Sequence, residues 1–143
     1  MSLRSSLEIA RATHVGLVRS HNEDSIATDA EIGLAVLADG MGGYNAGEVA
    51  SGMATSLILS ETREMLGRHA PHEVDRVTGS PVAAKLLADI IGKANTSIFQ
   101  SATRQPHYAG MGTTLVVALF RNNQITIAHI GDSRCYRLRG GKL

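Results

Sequence analysis

"LAVLADGMGGYNAGEVAS", residues 34–51, decides how the chain is read. The run Ile32–Ala38 is apolar throughout and of strand length, as expected for a strand covered on both faces. It stops at one carboxylate, Asp39, beside a loop carrying Gly40, Gly42, Gly43 and Gly47. From Gly47 the period changes: Val49, Met53 and Leu57 recur every four residues, with Ala50, Ala54 and Ile58 alongside. That spacing predicts a helix to about Leu66, with Glu48 in its first turn where the helix dipole favours an acid. A strand therefore delivers a lone acid to a loop nearly free of side chains, at a helix start.

Working outward, residues 7–13 (LEIARAT) alternate well enough for a first strand, and HVGLVRSHNEDSI reads as a loop entering a second short one. Residues 67–80 form a polar connection, and Ser80-Pro81 reads as N-cap and first helical residue. Val82, Leu86, Ile90, Ala94 and Ile98 make the next helical stripe, with Asp89 and Lys93 spaced as an i,i+4 pair. Gly92 inside it marks a kink or a close packing point. TTLVVALF, QITIAHI and RCYRLR read as three strands, turned at Arg121-Asn122-Asn123 and broken at Gly131-Asp132-Ser133. Short turns make neighbouring strands antiparallel, so helices packed on an antiparallel sheet, an α+β arrangement, is the economical reading.

Composition bounds the function. The 143 residues are 43% hydrophobic and 19% charged, a globular balance in one domain. Aromatics are 3%, so the core is aliphatic. A net charge of +1 without a basic run gives no footprint for nucleic acid. No apolar run approaches membrane-spanning length, the first six residues hold no apolar signal core, and Cys135 is the one cysteine. Those three facts lead to the expectation of a cytoplasmic protein with neither membrane nor nucleic acid as partner.

Five short stretches carry groups for a polyanion or a hard cation: VRSHNED (18–24), ADGMGG (38–43), GE (47–48), GMGTT (110–114) and GDSR (131–134). Each falls at an element boundary. If the sheet brings those ends to one rim, Glu23, Asp24, Asp39 and Asp132 pool negative charge that cations must offset. Carboxylates with backbone carbonyls are ligands for Mg²⁺ or Mn²⁺ rather than zinc or copper. Arg19, the one base beside that pool, suits two-point contact with phosphate.

Taken singly, each stretch also reads as an ordinary turn or solvated loop. Rival chemistries fit worse. Cys135 has Gly141, not Arg, six residues on, and reads as a buried structural thiol. GDSRC misses the nucleophile elbow and GMGGYN the dinucleotide fingerprint. His69 and His72 flank Ala70-Pro71 without cysteine partners for zinc, and His129 alternates with Ile125 and Ile127 on one strand face.

Taken together, Arg19, Asn22-Glu23-Asp24, Ala38-Asp39-Gly40-Met41-Gly42-Gly43, Gly47-Glu48, Gly110-Met111-Gly112-Thr113-Thr114 and Gly131-Asp132-Ser133-Arg134 resemble the metal-dependent protein phosphatases of the 2C type, and more narrowly their bacterial serine/threonine branch. The resemblance implies an αββα sandwich of two antiparallel sheets flanked by helices, of which residues 1–143 would be the N-terminal portion of a single domain. It implies two Mn²⁺ or Mg²⁺ ions, and a third more weakly held. Asp39 would bridge the pair, the Gly40 carbonyl and Glu23 would add ligands, and Asp132 would serve the third ion. Asp24 would stand behind the ligands, and Arg19 would hold the substrate phosphate. A metal-activated water would then hydrolyse phosphoserine or phosphothreonine on proteins, the products of a serine/threonine kinase, in signalling.

Two departures matter. Met41 stands where many eukaryotic relatives carry a proton-donating His, and Met cannot move a proton. The aspartates that the family supplies from a C-terminal half, in DG and DN contexts, do not occur, so the chain is expected to be an incomplete front portion with little activity alone. A catalytically silent module binding phosphoproteins on the same fold is the alternative, and a small α/β domain with acidic turns the third. An unpaired sheet edge would favour pairing with a second copy. The 68–77 stretch and the loop before Gly110 are the candidate specificity surfaces, being polar connections.

Overall fold

Two periods of apolar residues become two layers. The computed structural model describes residues 6–43, 46–68 and 81–143. Strands β1 (Asp24–Asp29) and β2 (Leu34–Met41) precede helices α1 (Ala46–Arg68) and α2 (Val82–Arg104). A single 3-10 turn at Pro106–Tyr108 then leads to β3 (Gly112–Thr113), β4 (Leu115–Arg121) and β5 (Gln124–Ile130). The sheet is antiparallel in the order β1-β2-β4-β5, with β3 pairing the end of β2. Asp24 stands opposite Asp39, Val36 opposite Val117, and Val116 opposite His129. Asn122 and Asn123, with φ of 48° and 61°, make the tight turn between β4 and β5, a conformation that Asn tolerates better than most residues.

One face of the sheet is sealed. Leu34, Val36 and Ala38 of β2 and Leu115, Val117 and Leu119 of β4 meet Ala50, Ala54 and Ile58 of α1 and Leu87, Ile90 and Ala94 of α2. Burying each large aliphatic side chain contributes about 1.5–3 kcal/mol. Small residues along α1 (Ala46, Ala50, Ser51, Ala54) bring that helix close to the strands. Its buried stripe is Ala50, Ala54, Ile58 and Thr62; Val49, Met53 and Leu57 flank it, half-buried. Ser25 and Thr55 hydroxyls bond at 2.7 Å, and Arg63 Nε donates to Asp29 Oδ2 at 2.7 Å, pinning β1 to α1. Burial would raise the Asp29 carboxyl, but the Arg63 guanidinium and the Glu31 and Ile32 amides outweigh it and hold the group below its ordinary value.

Several expectations are corrected. Among the described residues, 7–13 and 134–139 form no strand ladder, and an isolated bridge joins Arg139 to Lys142. Ile9–Ala12 instead line an open cavity together with Ile26, Leu37, Val116 and Cys135. Cys135 is exposed, not buried, because the segment carrying it has no covering layer among the described residues. The described residues therefore make one sheet with one helical layer, half of the expected sandwich.

Pro81 stands just before α2 rather than inside it, with extended backbone at φ −58° and ψ 131°; Ser80, His69, His72 and the remaining residues 69–80 lie outside the described residues. The buried stripe of α2 runs through Ala83 and Leu87 where Val82 and Leu86 were expected, then rejoins the expected pattern at Ile90, Ala94 and Ile98. Lys93 pairs with Glu61 of α1 at 2.7 Å rather than with Asp89, since a bridge between helices was in reach. Gly92 faces open space, so no close packing requires it.

Candidate active site

Alternation along β2 sets the site. Asp39 and Met41 point away from the helices, while Gly40 between them is buried against α1. A Cβ on Gly40 would overlap the Gly47 carbonyl and lie 2.6 Å from the Glu23 carbonyl oxygen. Only glycine lets the strand end touch the start of α1. The Gly40 N–H donates to the Glu23 carbonyl at 3.0 Å, and the Ser51 hydroxyl donates to the same oxygen at 2.6 Å. The Glu23 carboxylate rests against Gly47, where any Cβ would come within 2.6 Å of Oε1. An acid is favoured there by the N-terminal dipole of α1.

Asp24 and Asp39 are direct cross-strand neighbours. The Asn22 side chain accepts the Asp24 N–H at 3.0 Å and donates to Thr13 Oγ1 at 2.7 Å, fixing the chain before β1. Partial burial, then the charge of Asp39 and a hydrogen bond with it, push the Asp24 carboxyl above its ordinary value; Arg19 pulls the other way. Two carboxylates in contact are a place for a cation. Arg19 lies 3.5 Å from Glu23 with 74% of its side chain exposed, free to reach an anion in solvent.

On the other side of Asp39, its N–H donates to Thr114 Oγ1 at 3.1 Å and its carbonyl accepts the Thr114 N–H at 2.9 Å. Thr114 Oγ1 also bonds Ser133 Oγ at 2.6 Å. Asp132, next to Ser133 on the loop after β5, is exposed and is joined to Asp39 through this chain of contacts. The structure thus gathers Glu23, Asp24, Asp39, Gly40 and Arg19 at one end of β1 and β2, with Asp132 on an adjoining loop. Thr114, Ser133, Ser51 and Asn22 hold that arrangement; each stands in a stretch quoted from the sequence, and none was given a role of its own there.

The donors are all hard oxygens, and adjacent carboxylates fit Mg²⁺ or Mn²⁺. Among the described residues, however, no three acids, histidines or cysteines converge to hold an ion, so the fit is that of a partial ligand set.

The family model for protein phosphatase 2C matches residues 16–143. The chain belongs to this family. Serine/threonine protein phosphatase PstP of Mycobacterium tuberculosis is 40% identical over 137 residues, covering 96% of this chain and 24% of PstP. Serine/threonine phosphatase stp of Listeria welshimeri is 34% identical over 134 residues, covering 92% of this chain and 50% of stp. Among solved structures, the PstP catalytic domain in complex with two manganese ions superposes with a TM-score of 0.73 at 36% identity, over 90% of this chain and 49% of that one. PppA of Pseudomonas aeruginosa gives a TM-score of 0.71 at 35% identity, over 89% and 50%. The chain therefore spans about half the length of such phosphatase domains, and a quarter of full-length PstP. Membership in a 2C-type family and the α+β fold agree with the resemblance drawn from the motifs.

Proposed function

We propose that this chain supplies one half of the active site of a metal-dependent phosphatase acting on phosphoserine or phosphothreonine in proteins. The observation that carries the reading is Asp39, delivered by a buried strand, gripped through both backbone groups by Thr114, and set against Asp24. Asp39 would take two ions, with Glu23 and the Gly40 carbonyl contributing from the α1 side and Asp132 serving a third. When bound, such ions acidify a water and neutralise charge building on the phosphoryl oxygens. Asp24 would steady the Asp39 carboxylate and Arg19 would grip the phosphate. Met41, 61% exposed, has no proton to give, so the leaving oxygen must take one from water or another group.

One observation favours the silent-module alternative: no three-ligand cluster exists among the described residues. The substrate would be a protein phosphorylated by a serine/threonine kinase. A cytoplasmic setting accords with the unpaired Cys135, and pairing of copies would use an exposed edge at β1 or β5.

The test is turnover of a phosphothreonine peptide by the full-length gene product with EDTA, Mg²⁺ or Mn²⁺. Mn²⁺-dependent turnover, falling at least a hundredfold in Asp39→Asn, is expected, since one ligand shared by two ions is lost. A folded full-length product that is inert with every metal would leave the binding module standing.

A further inference from the structure

We infer that Thr114 is a positioning residue that ties the Asp39 end of β2 to the Gly131–Ser133 loop, so that two separate groups of metal ligands move as one; this rests on the metal-site reading of Asp39 above. Thr114 is used at every atom. Its N–H donates to the Asp39 carbonyl at 2.9 Å, and its Oγ1 accepts the Asp39 N–H at 3.1 Å. The same Oγ1 shares a 2.6 Å hydrogen bond with Ser133 Oγ. Its methyl side faces the backbone of Gly131, where a Cβ would come within 2.9 Å of Thr114 Cγ2 and 3.1 Å of Cβ. Gly131 has φ +90°, which an L side chain rarely adopts, so the loop turns sharply onto Thr114 and carries Asp132 with it.

Position in the sheet explains why this residue can act as a junction. Thr114 is the one residue between β3 and β4: Gly112 and Thr113 pair with the end of β2, and Leu115 begins the ladder with β5. At that break its backbone follows β2 while its side chain reaches the loop leaving β5. Serine would keep the hydroxyl and lose the contact with Gly131; valine would keep that contact and lose both side-chain hydrogen bonds. Asp39 and Asp132 are far apart in sequence, and Thr114 links them through three hydrogen bonds and one packing contact. Partners behind metal ligands typically change metal affinity or activity 10- to 100-fold when removed.

The experiment is Mn²⁺ titration by calorimetry on the full-length gene product and its T114V, T114S, S133A and D39N variants, with hydrogen exchange at the Asp39 amide as a readout independent of metal. T114V is expected to weaken Mn²⁺ binding about tenfold and to speed exchange at the Asp39 amide. T114S should stay within about threefold of wild type on both readouts, which a merely space-filling role for the methyl would not allow. S133A, which leaves the Asp39 hydrogen bonds in place, should weaken the more weakly bound ion alone, and it decides the matter if T114V does not fold. Wild-type affinity in T114V, in S133A, or a loss in T114S equal to that in T114V overturns the inference. D39N that binds Mn²⁺ like wild type overturns the metal reading of Asp39 and this inference together; D39N impaired with T114V intact overturns this inference alone.

Discussion

The two faces of the sheet share the same strands and differ in almost everything else. Toward the helices, Leu34, Val36, Val117 and Leu119 are at most 3% exposed. On the opposite face, Leu37, Ile125 and Ile127 are 40–47% exposed, although they too are large and aliphatic. The first face carries the stability. The second carries Asp24, Asp39, Met41 and His129 by the alternation of β1, β2 and β5, and it ends at the acidic rim. A strand that must serve both a core and a site does so by giving every second residue to each.

Two leucines of β2 offer the sharpest way to break this contrast. Leu34→Ala should cost about 2–5 kcal/mol in urea unfolding of the 143-residue chain, through lost burial plus a cavity. Leu37→Ala should cost under about 1 kcal/mol, as expected for a site away from the core. Equal losses would mean that something covers the second face in solution and that the contrast is false.

Gly40 is where the faces meet, since its missing side chain lets β2 touch α1. Gly40→Ala is expected to cost about 1–3 kcal/mol by overpacking and to displace Asp39, read as weaker Mn²⁺ binding. A variant as stable as wild type would show that the α1 start is free to move.

A smaller effect of opposite sign lies inside the sealed face. Thr62 is 2% exposed and its hydroxyl has no hydrogen-bond partner among the described residues. Thr62→Val should stabilise by roughly 1 kcal/mol, the desolvation cost of an unpaired hydroxyl. A loss of stability in the melting curve would reveal a partner for that hydroxyl.

The smallest effect is electrostatic. Arg63→Ala should cost about 0.5–1 kcal/mol near neutral pH, in the range of a partly exposed ion pair. The Asp29 carboxyl is held below its unfolded value of about 3.8, so its contribution is present above that pH and is lost as pH falls through the folded value. The gap between wild type and Arg63→Ala should therefore close on acidification below about pH 3.8. A gap that persists in acid would assign the effect to packing of the Arg63 stem.

Much of the architecture was legible because periodicity is local. The 34–38 run, the stripe through Ala50, Ala54 and Ile58, and the Asn122-Asn123 turn each bring their conformation with them. So was the gathering of Glu23, Asp24 and Asp39 at one rim, because each stands at an element boundary. Residues 7–13 and 134–139 show where that stops: strand-like alternation is local, but a ladder needs a partner, and neither segment has one among the described residues. Lys93 shows the same limit, since its sequence neighbour Asp89 lost to Glu61 on the other helix.

By itself, then, the sequence determined the two helices, the strands from β1 to β5 that flank them, the family, and which acids stand at the ends of those elements. Tertiary structure alone decided that Asp24 faces Asp39, that Gly40 lies against Gly47, and that Thr114 joins Asp39 to the Asp132 loop. Those are contacts between residues 15, 7, 75 and 19 positions apart. Pairing register and close backbone approach set them, and no local propensity encodes either.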